Sequence, residues 1–202
     1  MRGRAWETVV SERTFAWQRS NPLKDQYELR AGGRTLARLT IGGPPFVLAQ
    51  LESDDLHVVF TPEWAENRRI RVADADGQQV VATYERRWSG RTGVVQFATG
   101  GQLEWRRAGW RRADHVVTDR FGNPLLRFGP AGGVTGYGLG TELEPLIGSE
   151  SDLVVLLALG WLLLIVAGAA VLPTLAPASL GPPDQVRLQP RRVADDAVGV
   201  WT

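Results

Sequence analysis

Arginine and tryptophan side chains cluster in two short stretches of this sequence, a combination suited to binding phosphate groups at a membrane surface. The first stretch contains Arg86, Arg87, Trp88 and Arg91, and the second contains Arg106, Arg107, Trp110, Arg111 and Arg112. Guanidinium groups bind phosphate bidentately, and indole rings favour the headgroup interface. If neighbouring hairpins bring the stretches together, they predict a site for anionic phospholipid. In the alternative interpretation, the arginines are solvated strand faces and the tryptophans are core.

Other chemistries find little support among the residues. His115 could join Asp114 or Asp119 in a Ser-His-Asp arrangement, but no activated serine motif accompanies it. His57 is the second histidine, and two distant histidines with scattered acids do not form a metal site. The absence of cysteine excludes disulfides, thiolate metal ligands and a cysteine nucleophile. We therefore expect structural histidines, no catalytic residues, no metal and no cofactor: a protein that is not an enzyme.

Length and charge narrow the class of protein further. The chain has 202 residues, enough for one ordinary domain with a proper core. Its 23 basic and 22 acidic residues leave a net charge of +1. A dedicated nucleic-acid binder usually carries a strongly basic face, so no specific nucleic-acid partner is expected.

A series of short strands is predicted between about residues 6 and 148. Apolar and polar residues alternate, as where Tyr27 and Leu29 lie between Gln26, Glu28 and Arg30. Glycine-containing pairs at 32–33, 76–77, 100–101 and 122–123 supply the positive φ angles of tight hairpin turns. About ten to twelve strand candidates at this spacing predict a sandwich or barrel in which consecutive strands pair.

An uncharged stretch follows the strands and predicts a helix over about 152–172. Its large apolar residues include Leu156, Leu159, Trp161, Leu163 and Leu164. Twenty apolar residues span about 30 Å, the thickness of a bilayer core, so one interpretation is a transmembrane helix. The other is a helix inside the barrel, because about twelve strands enclose a lumen that their own side chains cannot fill. The acidic flank before the stretch and the arginines after it favour the second interpretation.

These features resemble the tubby C-terminal-like superfamily, especially bacterial proteins related to plant LURP-one proteins and to phospholipid scramblases. The resemblance rests on the turns at 72–77 and 117–123, the segment 144–147 and the helix around 160–164. It implies a twelve-stranded antiparallel barrel wrapped around a hydrophobic C-terminal helix, and work at membranes. Scramblase activity does not carry over, because the cysteine cluster that is lipidated in scramblases is absent here.

Together, these observations predict a mainly β protein: a closed antiparallel barrel with its central helix over residues 1–172, and a flexible, proline-rich tail over 173–202. The expected function is a non-enzymatic binding or scaffold module with anionic phospholipid or a membrane surface as partner; no protein partner is indicated. Since residues 1–10 lack the apolar core of a secretion signal, we expect a cytoplasmic location or the cytoplasmic face of the membrane. The alternative is a single-pass membrane protein whose helix, 153–172, spans the bilayer and whose β-domain is cytoplasmic.

Overall fold

The computed structural model describes residues 14–21, 23–43, 47–63, 69–87, 92–108, 114–129, 132–136 and 149–167. They form twelve strands and one helix. The strands are β1 (Thr14–Asn21), β2 (Gln26–Ala31), β3 (Arg34–Ile41), β4 (Ala49–Glu52), β5 (His57–Glu63), β6 (Arg69–Asp74), β7 (Val80–Arg86), β8 (Thr92–Phe97), β9 (Gln102–Arg107), β10 (His115–Thr118), β11 (Pro124–Phe128) and β12 (Gly133–Gly136), and the helix is α1 (Glu150–Val166).

The strands form a closed antiparallel barrel, which confirms the predicted fold class. Each strand pairs with its neighbours in sequence, and β12 pairs with β1 to close the barrel. Alternation places one face of each strand inside: Tyr27 and Leu29 are buried, while Glu28 between them is partly exposed. The barrel interior is therefore lined by apolar side chains from every side.

Two hairpin turns share one design, in which an aspartate holds a glycine turn. The Asp74 carboxylate accepts the backbone N–H groups of Gln78 and Gln79, and Gly77 has a φ of 69°. The Asp119 carboxylate accepts those of Phe121 and Asn123, and Gly122 has a φ of 90°. Both turns were predicted from sequence, and the positive φ angles explain why glycine occupies these positions.

Helix α1 fills the barrel. Leu156, Leu159, Trp161 and Leu164 are buried and Leu163 is partly buried in one cluster with the inward strand residues. The indole of Trp161 stacks parallel to that of Trp17 at 6.4 Å between ring centres and meets Tyr27 edge-on at 6.0 Å. Within the described ranges, no helix combines the length and apolar character that crossing a membrane requires.

The helix boundaries differ from the predicted 152–172. The helix begins two residues earlier because Ser149 is the N-cap, its hydroxyl accepting the Asp152 backbone N–H at 3.1 Å. It ends at Val166, and Ala167 is the C-cap. The helix thus has 17 residues and is about 25 Å long. Residues 168–172 and the predicted tail, 173–202, lie outside the described residues, as do residues 1–13.

The two ends of the barrel are distinct. The β1–β2 turn lies at one end, which we call the β1–β2 end, with the last residues of odd-numbered strands and the first residues of even-numbered strands. The five turns after even-numbered strands lie at the opposite, β2–β3 end. A side chain at Gly160 would meet Phe128, the last residue of β11, and the next helix residue, Trp161, meets Tyr27, near the start of β2. Since both strand positions lie at the β1–β2 end, and Gly160 is nearer the helix C-terminus, α1 points its C-terminus to that end.

Candidate anionic-surface site

The structure places four of the predicted arginines at the β1–β2 end of three adjacent strands. Arg86 is the last residue of β7 and Arg87 follows it; Arg106 and Arg107 are the last residues of β9. Thr92 of β8 lies between them, since it accepts the Arg87 backbone N–H at 2.9 Å and is the register partner of Arg106. The described parts of the two arginine stretches are therefore neighbours, as the site prediction required.

An acidic residue, Glu104, connects the two stretches. One carboxylate oxygen accepts a hydrogen bond from Arg87 at 3.2 Å, and the other accepts one from the Arg106 Nε at 2.9 Å. All three side chains reach solvent, so these pairs are screened and weak. They hold two guanidinium groups on either side of one carboxylate on the outer surface, and they also neutralise one of the two positive charges.

Beneath the arginines, the inner layer of the barrel is apolar. The Tyr84 ring covers Gly93, because a Cβ at that glycine would lie 2.3 Å from the ring. Burial raises the pKa of Tyr84 to about 12, although the positive charge of Arg86 lowers it in part. Trp105 is buried against Phe128 at 5.0 Å between ring centres and alternates with the outward-facing Arg106. The alternative interpretation, with tryptophan in the core and arginine on a strand face, thus fits this part of β9.

The rest of the predicted site lies outside the described residues: Trp88, Arg91, Trp110, Arg111 and Arg112. Their segments nevertheless start and finish at described positions. Residues 88–91 join Arg87 to Thr92, and residues 109–113 join Ala108 to Asp114, whose carbonyl accepts the Ala108 N–H at 2.8 Å. The described residues on both sides of each segment lie at the β1–β2 end.

The residues weighed for hydrolytic chemistry have other contacts. His115 stacks on Trp105 at 5.0 Å between ring centres, and Asp114 pairs with Arg127. Burial alone would raise the pKa of Asp119, but hydrogen bonds from Asn123, Phe121 and Gly122 outweigh it and lower that pKa. In the described part of the chain, no three His, Asp or Glu side chains are grouped so that they could hold a metal ion.

Charge is distributed unequally between the two ends. Each end here comprises the described residues of its turns and of the two strand positions nearest to it. The β1–β2 end carries the basic residues Lys24, Arg69, Arg86, Arg87, Arg106, Arg107 and Arg127 and the acidic residues Asp25, Glu63, Glu85 and Asp114. The β2–β3 end carries the acidic residues Glu52, Asp54, Asp55, Asp74, Asp76 and Asp119 and the basic residues Arg30, Arg34 and Arg120. One end is therefore net positive by three charges and the other net negative by three.

The central helix explains only part of this asymmetry. Its N-terminus at the acidic end carries about +0.5 charge and its C-terminus at the basic end about −0.5, so opposite charges are stabilising at both ends. Half a charge is much smaller than the three net charges at each end. Most of the asymmetry is therefore not required by the helix.

Two features of the β1–β2 end were not predicted from the sequence. Glu104 lies two residues from Arg106, a spacing that places both on one strand face, so period-two alternation could have identified that pair. The β1–β2 turn presents Leu23 and Lys24 to solvent. The sequence signal that could have indicated this exposed pair is a leucine beside a lysine in the turn between two predicted strands.

The fold and this surface define a class: a twelve-stranded antiparallel barrel closed around its own C-terminal helix, with one basic end. Comparisons with protein-family models, with curated proteins and with solved structures find no match to this chain.

Proposed function

We propose that the chain is a non-enzymatic, tubby-like domain that binds anionic phospholipid at the cytoplasmic face of a membrane. The site consists of Arg86, Arg87, Arg106 and Arg107 with the adjoining residues Trp88, Arg91, Trp110, Arg111 and Arg112. The observation that carries the proposal is the gathering of the four described arginines at the net positive end of three adjacent strands. The resemblance to the tubby-like superfamily, whose barrel also encloses a hydrophobic helix, is consistent with it.

The electrostatic contribution is large enough to drive binding. Each basic residue near an anionic membrane contributes about 1 kcal/mol. Four such residues change the affinity about 100-fold to 1,000-fold, and the attraction weakens as salt shortens the screening length. Such a site needs no deep pocket, because the ligand is an extended surface.

Vesicle flotation tests the proposal. The full chain should float with vesicles of phosphatidylcholine and phosphatidylserine, and not with phosphatidylcholine alone. Replacing Arg106, Arg107, Arg111 and Arg112 by Gln should abolish binding. A matched control replaces Arg30, Arg34, Arg38 and Arg120 by Gln, which removes the same charge away from the site. Equal loss in both variants would mean that net charge, and no particular site, governs binding.

Glu104 gives a gain-of-function test. Glu104→Gln removes the negative charge that pairs with Arg87 and Arg106, so it should strengthen binding to anionic vesicles by about 1 kcal/mol, roughly fivefold. If Glu104 served only to stabilise the barrel, Glu104→Gln would lower the stability of the protein without raising its affinity for vesicles. Unchanged affinity in a variant of normal stability would remove this part of the site.

A further inference from the structure

The β1–β2 turn exposes Leu23, whose side chain does not help to hold the turn in place. Backbone and polar groups hold the turn: Asn21 Oδ1 accepts the Leu23 N–H at 2.9 Å, and the Asp25 carbonyl accepts the Ile41 N–H at 3.0 Å. Asp25 also pairs with Arg19. The Leu23 side chain is 94% exposed. The turn is thus tied to β1 and β3, and the leucine projects from it without packing against the barrel.

A single exposed leucine is common on protein surfaces, but the surroundings of Leu23 are unusual. Lys24 follows it, and both lie at the net positive end. Among the described residues, the large apolar side chains that are exposed are Leu23, Phe121 and Val166. Val166 is the last residue of α1 and also lies at the β1–β2 end, whereas Phe121 lies at the acidic end and stacks under the Arg120 guanidinium.

We infer that the β1–β2 end docks end-on against an anionic bilayer, with Leu23 inserted among the acyl chains and Lys24 at the headgroups. Positive charge draws this end to the surface, and an exposed apolar side chain gains free energy when it leaves water. The acidic β2–β3 end faces away, because an anionic surface repels it. This inference rests on the proposed function and adds an orientation and a contact outside the arginine site.

Site-specific labelling tests the orientation directly. The chain has no cysteine, so Leu23→Cys and Phe121→Cys each provide one attachment point for an environment-sensitive fluorophore. Both positions are exposed turn residues, at opposite ends. With vesicles of phosphatidylcholine and phosphatidylserine, the label at position 23 should shift to shorter wavelength, and the label at 121 should not change. A shift at 121 with none at 23 would overturn the orientation.

Unlabelled variants measure the contribution of the leucine. Leu23→Ser should weaken binding to the same vesicles about tenfold, and Phe121→Ser, which removes an exposed apolar side chain from the other end, should change it less than twofold. Equal effects of the two substitutions would also overturn the inference. Sedimentation without vesicles checks whether Leu23 instead contacts a second copy: a drop in mass for Leu23→Ser would assign the turn to self-association and overturn bilayer insertion.

Failure of the proposed function and failure of this inference give different results. If the unlabelled wild-type chain binds no anionic vesicle, both are wrong. If it binds and the arginine substitutions abolish binding, but the label at position 23 stays in water, the arginine site stands and end-on insertion is wrong.

Discussion

Replacing Gly160 with alanine tests the packing of the helix inside the barrel. In an isolated helix, alanine is favoured over glycine by about 1 kcal/mol, so helix propensity alone predicts stabilisation. In this structure, the new methyl carbon would lie 2.4 Å from two atoms of the Phe128 ring and 3.0 Å from Trp105. The Phe128 side chain is fully buried against Trp105, so the ring has little room to move.

The size of the clash decides the sign of the effect. Ordinary contacts begin at 3.4 Å, so the ring and the helix must separate by about 1 Å. Overpacking a well-packed core costs about 1–3 kcal/mol, and a 1 Å displacement of a buried ring belongs near the upper limit. After the gain of about 1 kcal/mol from helix propensity, Gly160→Ala should destabilise the protein by about 2 kcal/mol. For a chain of this size that lowers Tm by about 4–8 °C.

Urea unfolding followed by tryptophan fluorescence measures this change. The control is Gly133→Ala, where a Cβ meets nothing within 4 Å and little change is expected. In a Phe128→Leu background, which removes the ring atoms at 2.4 Å and leaves Trp105 at 3.0 Å, Gly160→Ala should lose most of its destabilising effect. A neutral or stabilising Gly160→Ala in the wild-type background would refute the packing described here, because a helix surrounded by lipid has no ring against that position.

Three further predictions concern stability. Deleting residues 150–202 should leave an insoluble, unfolded β-domain, because the barrel interior loses its filling; a soluble, folded domain with native tryptophan fluorescence would contradict this. Burial raises the pKa of Asp152, despite the lowering effect of Ser149. The folded state therefore holds this proton more tightly than the unfolded state, and the contribution of Asp152 to stability should rise as the pH falls toward the ordinary pKa of an aspartate. Asp152→Asn should lose that rise, as seen in Tm at each pH, and an identical profile would show that Asp152 does not titrate differently on folding. The folded pKa of Tyr84 is about 12 against 10.0, so its contribution to stability is present below pH 10, and about 2 kcal/mol of it is lost by pH 12. Urea unfolding of Tyr84→Phe should show a smaller alkaline loss of stability, and an equal loss would contradict the shift.

The fold could be predicted from the sequence because two independent patterns required each other. One-sided strands leave an apolar surface that must be covered, and an all-round apolar helix such as the one containing Trp161 needs apolar surroundings on every side. The helix boundaries were harder, because Ser149 and Ser151 are both followed by acidic residues and are equivalent as local capping signals. The requirement for glycine at position 160 could not be predicted from the sequence, because the ring that leaves no room for a side chain there belongs to Phe128, which is distant in the chain.

The candidate site was partly predictable for a related reason. Alternation and hairpin turns left it as a condition that neighbouring hairpins bring the arginine stretches together, and the four described arginines do lie at one end of adjacent strands. The bridge from Arg87 to Glu104 could not be found in this way. It joins β7 to β9 across β8, so it depends on the register of two strand pairs, here Arg86 with Gly93 and Gly93 with Trp105. A shift of one residue in either pair would turn Glu104 to a different neighbour.

The residues that specify this fold and those proposed for its function are largely separate. The interior is determined by burial, since every strand and the helix contribute to one apolar cluster. The ends are constrained by turn chemistry, which glycine, asparagine and aspartate provide, and weakly by the dipole of the helix. Turn formation therefore does not require one end to be net basic and the other net acidic, nor does it require Leu23 at the tip of a turn that Asn21 and Asp25 already hold. Because folding leaves these choices open, their alignment along one axis of the barrel is the observation on which the proposed orientation at a membrane rests.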